Sequence, residues 1–427
     1  MADELDGYRV AFDERTLGSE PSWLARARAG ALERFLDRGF PRTSEEDWRF
    51  TSLRGLASRK FRLPGRHAEG AVTGAGYRLD GSSCHEVVFL NGRFSEELSS
   101  VSGLPEGIQI RSLARVIEDD ADAVRPVLSR EGGDGTVFAD LNRALFTDGA
   151  FIHVAPGTVV EKPVHLVFLS TETSTMSHPF NAIFAGARSE LRIVESYVGS
   201  DESVYWTNAV THIVLGEGAV LDHYKLQREG AAAFHIGSLS VLETRDAVLR
   251  DHSISLGARL ARHDIRVILE GEGSDTSLNG LYSVRGTQHV DHHTLIDHRA
   301  PRCTSRELYK GVLDQESTGV FDGRIVVRPK AQKTNAQQSN KNLLLSRNAL
   351  VNTNPRLEIN ADDVKCAHGA TIGQLDADAL FYLRSRGIEL SDARHILTRG
   401  FLADVTERIQ IDTLRQAVNS LVLPEVA

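Results

Sequence analysis

Cys366 and His368 stand two positions apart in residues 362–369. On an extended chain, side chains at this spacing project from the same face, so the thiol and the imidazole would lie side by side. Both groups are ligands for iron or zinc, and a nearby cation would lower the pKa of the thiol. Such sites usually need four ligands, so distant residues or another chain would have to complete this one. A buried cysteine beside a hydrogen-bonded histidine is the structural alternative.

The densest group of titratable residues covers positions 289–298, with Cys303 close behind. Neighbours alternate faces on a strand, so one side of it would carry His289, Asp291, His293 and Asp297. The other side would carry His292 and His298. A mononuclear metal site could use His293 with Asp291, which would suit a metal-dependent enzyme. Hydrogen-bonded structural histidines are the alternative.

Nucleotide-binding and hydrolase motifs are missing from the sequence. The one Lys-Thr pair, Lys333-Thr334, lacks the preceding glycines of a phosphate-binding loop, so we do not expect the chain to hydrolyse ATP. Residues 271–273 form a fragment of a dinucleotide fingerprint, which we interpret as a turn. The sequence also has no Gly-x-Ser-x-Gly elbow and no His-Glu-x-x-His pair.

Composition narrows the class of protein. The chain has 427 residues, with 49 Lys plus Arg against 58 Asp plus Glu and a net charge of −9, which argues against a nucleic-acid partner. No apolar run approaches the roughly 20 residues of a membrane helix. Three cysteines are not a disulfide framework, and the first residues are too acidic for a targeting peptide. We therefore expect a cytoplasmic protein that does not bind membranes.

The periodicity of apolar residues divides the chain into three regions. Residues 1–120 are predicted as an N-terminal helical region, 121–375 as a β core and 376–427 as a C-terminal helical region. Strands are predicted at 164–169, 191–198, 220–226, 265–269, 278–284, 290–297 and 323–327. Because no crossover helices separate them, a sandwich, a barrel or a solenoid remains. Polar residues on both faces of many strands favour the solenoid.

Four helical signals refine the two outer regions. Apolar residues between Leu24 and Phe35 recur at helical spacing, and Thr43 begins a capping box for a second helix. Ser391 is expected to cap a short helix that ends before Gly400. The last helix has a narrow apolar stripe at Ile411, Leu414, Val418 and Leu421, which usually packs on its own domain.

A series of ordered motifs resembles the SufB/SufD family of iron–sulfur cluster assembly proteins. The motifs are EDWRFT at 46–51, DHHT at 291–294, YKGV at 309–312, GVFDG at 319–323, KTNAQQ at 333–338, NLLLS at 342–346, PRLEI at 355–359, VKCAHGAT at 364–371, GQLD at 373–376 and ALFYLRSRG at 379–387. The Lys-Cys-x-His-Gly form resembles the SufD members, since SufB members have an acidic residue beside this histidine. Asn335 departs from the Asp that is common there.

The resemblance implies a fold, a role and two partners. The fold is a right-handed parallel β-helix between helical regions, and the chain would pair with SufB through that core. The SufC ATPase would bind the C-terminal helices, where the residues expected to contact it are Leu380, Phe381, Ile396, Leu397 and Phe401. His368, with Cys366 near it, would face SufB and help to hold iron or a nascent cluster. We expect no cofactor that stays tightly bound to the isolated chain, and no enzymatic activity.

Three rival interpretations stay open at this point. One is a metal-dependent enzyme that uses His289, Asp291 and His293. Another is a secreted β-helix enzyme that acts on carbohydrates, although the N-terminus has no signal peptide. The third, within the family, is a SufB-type scaffold. A homodimer of the isolated chain is also compatible with the sequence. Three cysteines are too few to hold a cluster with thiolates alone, which indicates one side of a shared site.

Overall fold

A computed structural model describes residues 2–15, 20–65, 84–128 and 136–422. Its helices are α1 (Ala2–Glu14), α2 (Ser22–Arg38), α3 (Arg54–Ala57), α4 (Leu113–Asp120), α5 (Arg125–Leu128), α6 (Val137–Leu145), α7 (Ala377–Ser385), α8 (Leu390–Thr406) and α9 (Asp412–Val422), with short 3-10 helices at Glu46–Trp48 and Ala121–Val124. Helices α1–α3 precede the strands, α4–α6 lie within the strand-rich part of the chain, and α7–α9 follow it. None of the helices in these ranges is long and apolar enough to cross a membrane.

The strands occupy most of the chain between Cys84 and Leu375. They are β1 (His85–Leu90), β2 (Arg93–Ser100), β3 (Ile108–Ser112), β4 (Ala150–Val154), β5 (Val164–Ser170), β6 (Met176–Ser177), β7 (Phe180–Ala185), β8 (Glu190–Gly199), β9 (Trp206–Leu215), β10 (Val220–Arg228), β11 (Phe234–Glu243), β12 (Val248–Ser255), β13 (Leu260–Leu269), β14 (Asp275–Val284), β15 (His289–His298), β16 (Thr304–Leu313), β17 (Thr318–Val327), β18 (Asn335–Leu344), β19 (Leu350–Ile359) and β20 (Lys365–Gly373). Each of the seven predicted strands lies within one of these, so those predictions are confirmed.

Successive strands alternate between two sheets of ten strands. One sheet has the order β2-β1-β5-β8-β10-β12-β14-β16-β18-β20, and the other has the order β19-β17-β15-β13-β11-β9-β7-β4-β3, with β6 beside β9. All neighbours are parallel except the pairs β1–β2 and β3–β4. This is a parallel β-solenoid with helices at both ends of the chain, as the sequence predicts.

Side chains along each strand point alternately into and out of the solenoid, and the inward ones form its core. Apolar inward side chains of both sheets, chiefly Val, Ile, Leu and Ala, form one continuous cluster, and buried polar side chains share the interior with them. Tight turns between strands take left-handed backbone, as at Gly218 with φ of 63° and Gly273 with φ of 82°. Glycine adopts this conformation without a steric penalty. From β8 to β20 each strand has eight to ten residues, and the earlier strands have two to eight.

The N-terminal helices cover one face of the solenoid through an aromatic core. Trp48 is buried against Phe138, with ring centroids 5.5 Å apart, and Phe138 also contacts Trp206 of β9 at 5.9 Å. The predicted helix around Leu24 and Phe35 is confirmed as α2. The capping box at Thr43 was wrong, because Glu45 precedes only a 3-10 turn there. The segment around Glu46–Trp48 is held by the aromatic packing of Trp48 and does not form a regular helix.

The first predicted region is not helical throughout, because it also contains β1, β2 and β3, which extend the two sheets. Residues 66–83 of that region, and residues 423–427 at the other end, lie outside the described residues.

The C-terminal helices differ in how firmly they are packed. Helix α8 begins after Glu389 and continues through Gly400, so the short helix predicted from Ser391 was wrong. Burial of Leu402 and Val405 against the solenoid stabilises its second half despite the glycine. Helix α9 buries Leu414 and Val418 in the same cluster, as predicted for this stripe, whereas Leu421 of the stripe is 37% exposed. Helix α7 has no buried residue.

Candidate functional site at the end of the solenoid

Strand β20 is the last strand of its sheet and pairs with one neighbour, β18. Only Cys366 in it is partly buried, and the other eight residues are exposed. Strand β19 ends the second sheet in the same way, with β17 as its neighbour. The solenoid therefore ends in two long edges whose backbone groups have no partner strand within the described chain.

Cys366 and His368 lie on the inward face of β20. The register aligns Cys366 with Ala336 and His368 with Gln338, and both of these β18 residues are buried. Side chains in register share a face, so the thiol packs against the apolar core while the imidazole is exposed at the uncovered end. The two ligand types therefore do share a face, as the spacing predicts.

The thiol of Cys366 is not activated by its surroundings. Burial raises its pKa, against a backbone hydrogen bond at Ala336 that lowers it. A protonated thiol is a poor metal ligand, so a bound cation would have to displace the proton. Within the described ranges, no three His, Cys, Asp or Glu side chains converge on a point that could hold a metal ion. Cys84 and Cys303 are buried and form no disulfide. The described chain therefore offers one thiol and one imidazole here, fewer than the four ligands that are usual for a metal or cluster site.

A buried polar row leads from the interior to this strand. Gln338 donates from Nε2 to Glu307 Oε2 at 2.7 Å, whereas Glu307 Oε1 and Thr294 Oγ1 are buried and make no hydrogen bond. Burial raises the pKa of Glu307 to about 7 despite the hydrogen bond from Gln338. The sequence analysis missed Gln338 and Glu307, because strand register is needed to align them with His368. Their separation of about one solenoid turn is the signal that could have found them.

His289, Asp291 and His293 come together on the outer face of β15, below the N-terminal segment. Thr51 donates to Asp291 Oδ2 at 2.6 Å and lies 2.8 Å from His289 Nε2. His293 Nε2 is 3.0 Å from Asp291 Oδ1. His292 and His298 face the interior, where both are buried, as strand alternation predicts.

A guanidinium occupies the middle of this cluster. Arg262 donates to Asp291 at 2.8 Å and to the backbone oxygen of Asp47 at 2.7 Å, and it lies 3.7 Å above the ring of Trp48. Burial would raise the pKa of Asp291, but His293 and Arg262 hold it far below the usual value. The carboxylate is thus already neutralised, and this geometry is that of a structural ion cluster that fastens residues 47–51 to the solenoid. Sequence reasoning missed Arg262 and Thr51, which are distant along the chain.

The residues expected to contact a partner at the C-terminus fall into two groups. Phe381 is 75% exposed and Ile396 is 48% exposed, and Tyr382 and Leu390 are exposed beside them. Leu380 and Leu397 are half-buried. Phe401 is half-buried and is held by the solenoid, because Lys310 Nζ lies 4.7 Å from its ring centroid and donates to its backbone oxygen. Helices α7 and α8 therefore carry four exposed large side chains, Phe381, Tyr382, Leu390 and Ile396, which are called the apolar patch below.

Two family models together match most of the chain. Residues 168–401 match the model for the SUF system FeS cluster assembly, SufBD core domain, and residues 13–166 match the SufBD protein N-terminal region. An iron–sulfur cluster assembly SufBD family protein of Synechocystis is 33% identical over 96% of this chain and 94% of its own length. The iron–sulfur cluster assembly protein SufD of Escherichia coli is 31% identical over 91% and 89%. The chain therefore belongs to the SufB/SufD family of iron–sulfur cluster assembly proteins and is most like its SufD members.

Proposed function

We propose that this chain is a non-catalytic, SufD-like scaffold subunit of a SufB–SufC–SufD complex, in which a nascent iron–sulfur cluster forms between β20 and SufB. The position of Cys366 and His368 on an uncovered edge strand carries the proposal. The iron or cluster is cargo of the complex, and the isolated chain holds no cofactor tightly. Four ligands are usual for a cluster, so a second chain supplies those that this one lacks.

Pairing with SufB uses the end of the solenoid. Strands β19 and β20 are ten and nine residues long, and their exposed isoleucines Ile359 and Ile372 lie at this end. A long, exposed edge strand is a template for another strand, and natural proteins usually cover or interrupt it. A SufB solenoid with matching edges would cover both strands at once. A second copy of this chain presents the same edges, so a homodimer of the isolated chain is compatible with this surface.

SufC binding uses the apolar patch of α7 and α8. Helix α7 buries none of its residues, although Phe381 and Tyr382 are large and apolar or amphipathic. Clustered exposed side chains of this kind mark protein interaction sites. SufC would supply the ATP hydrolysis for which this sequence has no phosphate-binding loop. The cytoplasm is the proposed compartment, because Cys84, Cys303 and Cys366 form no disulfide.

The test is co-expression of the full chain with SufB and SufC, followed by anaerobic iron and sulfide analysis of the purified complex. We expect His368→Ala to lower the iron and sulfide content of an otherwise intact complex. His153→Ala is the matched control, because His153 is also exposed on a strand but lies far along the chain, on β4. Unchanged iron and sulfide in the His368→Ala complex would contradict the proposal.

A second measurement separates this role from that of a SufB-type scaffold. A SufD-like chain needs SufB, so the chain alone should not reconstitute a cluster from iron and sulfide. A stable cluster on the isolated chain would favour the SufB-type scaffold instead.

A further inference from the structure

Three arginines form a row on the outer face of the second sheet. The register aligns Arg266 of β13 with Leu295 of β15, Leu295 with Arg324 of β17, and Arg324 with Arg356 of β19. Adjacent parallel strands are about 4.8 Å apart, so the three guanidinium groups follow one line across the sheet. Leu295 separates the first arginine from the other two. This row lies apart from Cys366 and His368, which are on the first sheet.

The row forms one wall of a cavity of about 190 Å³. The lining of the cavity also includes Asp47 and Trp48, together with Thr136, which is the N-cap residue of α6, and Val137. Trp48 is held in place by Phe138 and by the buried guanidinium of Arg262. The cavity is therefore built between two parts of the molecule that the ion cluster around Asp291 fastens together.

Positive charge exceeds negative charge around this cavity. Five arginines and three aspartates line it. Arg324 pairs with Glu358 at 2.5 Å, and Arg356 pairs with Asp322 at 2.5 Å and with Glu46 at 2.9 Å. Arg266 has no ion pair with any residue that the structure describes. One guanidinium is thus left without a counter-charge at the cavity wall.

The Nε atoms in the row are also without partners. The Nε atoms of Arg266, Arg324 and Arg356 are all buried and make no hydrogen bond. A guanidinium has five N–H donors in a fixed plane, and a buried donor that stays unpaired costs free energy. An oxyanion in the cavity would satisfy such donors with charge-assisted hydrogen bonds.

The size and chemistry of the cavity narrow the ligand. A volume of about 190 Å³ exceeds what a single halide ion fills. Arginine recognises phosphate by paired, planar hydrogen bonds, which suits donors arranged in a row. We propose that this cavity binds a small molecule through a phosphate group held by Arg266 and Arg324. Inorganic phosphate and a sugar phosphate share this chemistry, and binding measurements on each distinguish the two sources.

The experiment is calorimetric titration of the full chain at low ionic strength with inorganic phosphate and, separately, with ribose 5-phosphate. We expect saturable binding of at least one probe, weakened by about tenfold or more in Arg266→Gln, which corresponds to the loss of one charge-assisted contact. Tighter binding of ribose 5-phosphate would indicate an organic phosphate, and equal affinity would indicate the free ion. Arg245→Gln is the matched control, because Arg245 is exposed in a turn and pairs with Glu272 outside the cavity.

A second variant guards against loss of folding in the first. Arg324 is 41% exposed at its side chain, so Arg324→Gln should leave the fold intact, which circular dichroism checks, and should weaken the same probe. Absence of binding by both probes at about 10 mM, far above a millimolar dissociation constant, would overturn the proposal. Binding that both Gln variants retain unchanged would overturn it as well. The readout does not depend on cluster assembly, so it can fail or succeed independently of the proposed function.

Discussion

Gln338 and His368 are cross-strand partners on the inward face of the last two strands of their sheet. Gln338 uses its amide to hold the buried Glu307 carboxyl at 2.7 Å. The exposed histidine at the end of the solenoid therefore lies directly beside a buried residue that orients a titratable group. Gln338 therefore connects His368, at the proposed cluster site, with Glu307, a buried carboxyl whose titration affects stability.

Glu307 should make the stability of the chain depend on pH. Its pKa is raised by burial to about 7, so it contributes stability that is fully present below its unfolded pKa near 4.5 and is lost as the pH rises through 7. The integrated effect is at most about 3 kcal/mol. Glu307→Gln should remove this part of the pH dependence, which denaturant unfolding at pH 5, 7 and 8.5 measures. Glu316→Gln, at an exposed position, should leave the profile unchanged. A Glu307→Gln profile as steep as the wild type would contradict this assignment.

Arg262 should be essential for attaching the N-terminal segment. Arg262→Met leaves the Asp291 carboxylate buried with one counter-charge fewer, and breaking a buried pair costs about 3–5 kcal/mol of unfolding free energy. Arg302→Met, which breaks an exposed pair with Glu272, should cost less than about 1 kcal/mol. Urea unfolding of both variants provides the comparison. Equal costs would show that Arg262 is not a structural centre.

The apolar patch on α7 and α8 should be needed for SufC and not for folding. Phe381→Asp places a charge in the patch at a side chain that is 75% exposed, so the free energy of unfolding should change by no more than about 0.5 kcal/mol. Co-purification of SufC should fall sharply. Val159→Asp is a control on an exposed valine elsewhere. If SufC is retained fully by Phe381→Asp, its binding surface lies on other residues.

The edge of β20 should be needed for SufB. Ile372→Lys adds a charge to an exposed edge strand, a substitution that natural sheets use to prevent pairing. We expect weaker association with SufB in sedimentation velocity measurements at matched concentrations. Val10→Lys, on the exposed face of α1, should associate as the wild type does. Unchanged association of Ile372→Lys would direct attention to a different surface.

Much of the fold could be predicted from the sequence, because strand alternation and helical spacing are local signals. The choice of a solenoid over a barrel could not be made from a repeat, for a physical reason that the register shows. Cross-strand partners are 28 positions apart at His223 and Asp251, 27 apart at Asp251 and Leu278, and 31 apart at Glu307 and Gln338. Turns of unequal length shift the period from one coil to the next, so no fixed repeat appears.

The candidate site was only half accessible to sequence reasoning. The shared face of Cys366 and His368 follows from their spacing, since it depends on local geometry alone. The residues that surround His289 and Asp291 could not be predicted from spacing, because Thr51 and Arg262 lie 240 and 29 positions from Asp291 along the chain. Only the long-range packing of Arg262 against Asp291 favours a structural ion cluster over a metal site there.

The position of β19 and β20 in the last coil of the solenoid affects when Cys366 and His368 become ordered. Each coil of a solenoid is stabilised by its two neighbours, and the coil that carries β19 and β20 has only one within the described chain. Local opening is easiest where neighbours are fewest. Covering these two strands would therefore order the ligand pair and complete it in the same step. If the proposed function holds, such coupling would keep the isolated subunit from capturing iron before its partner binds.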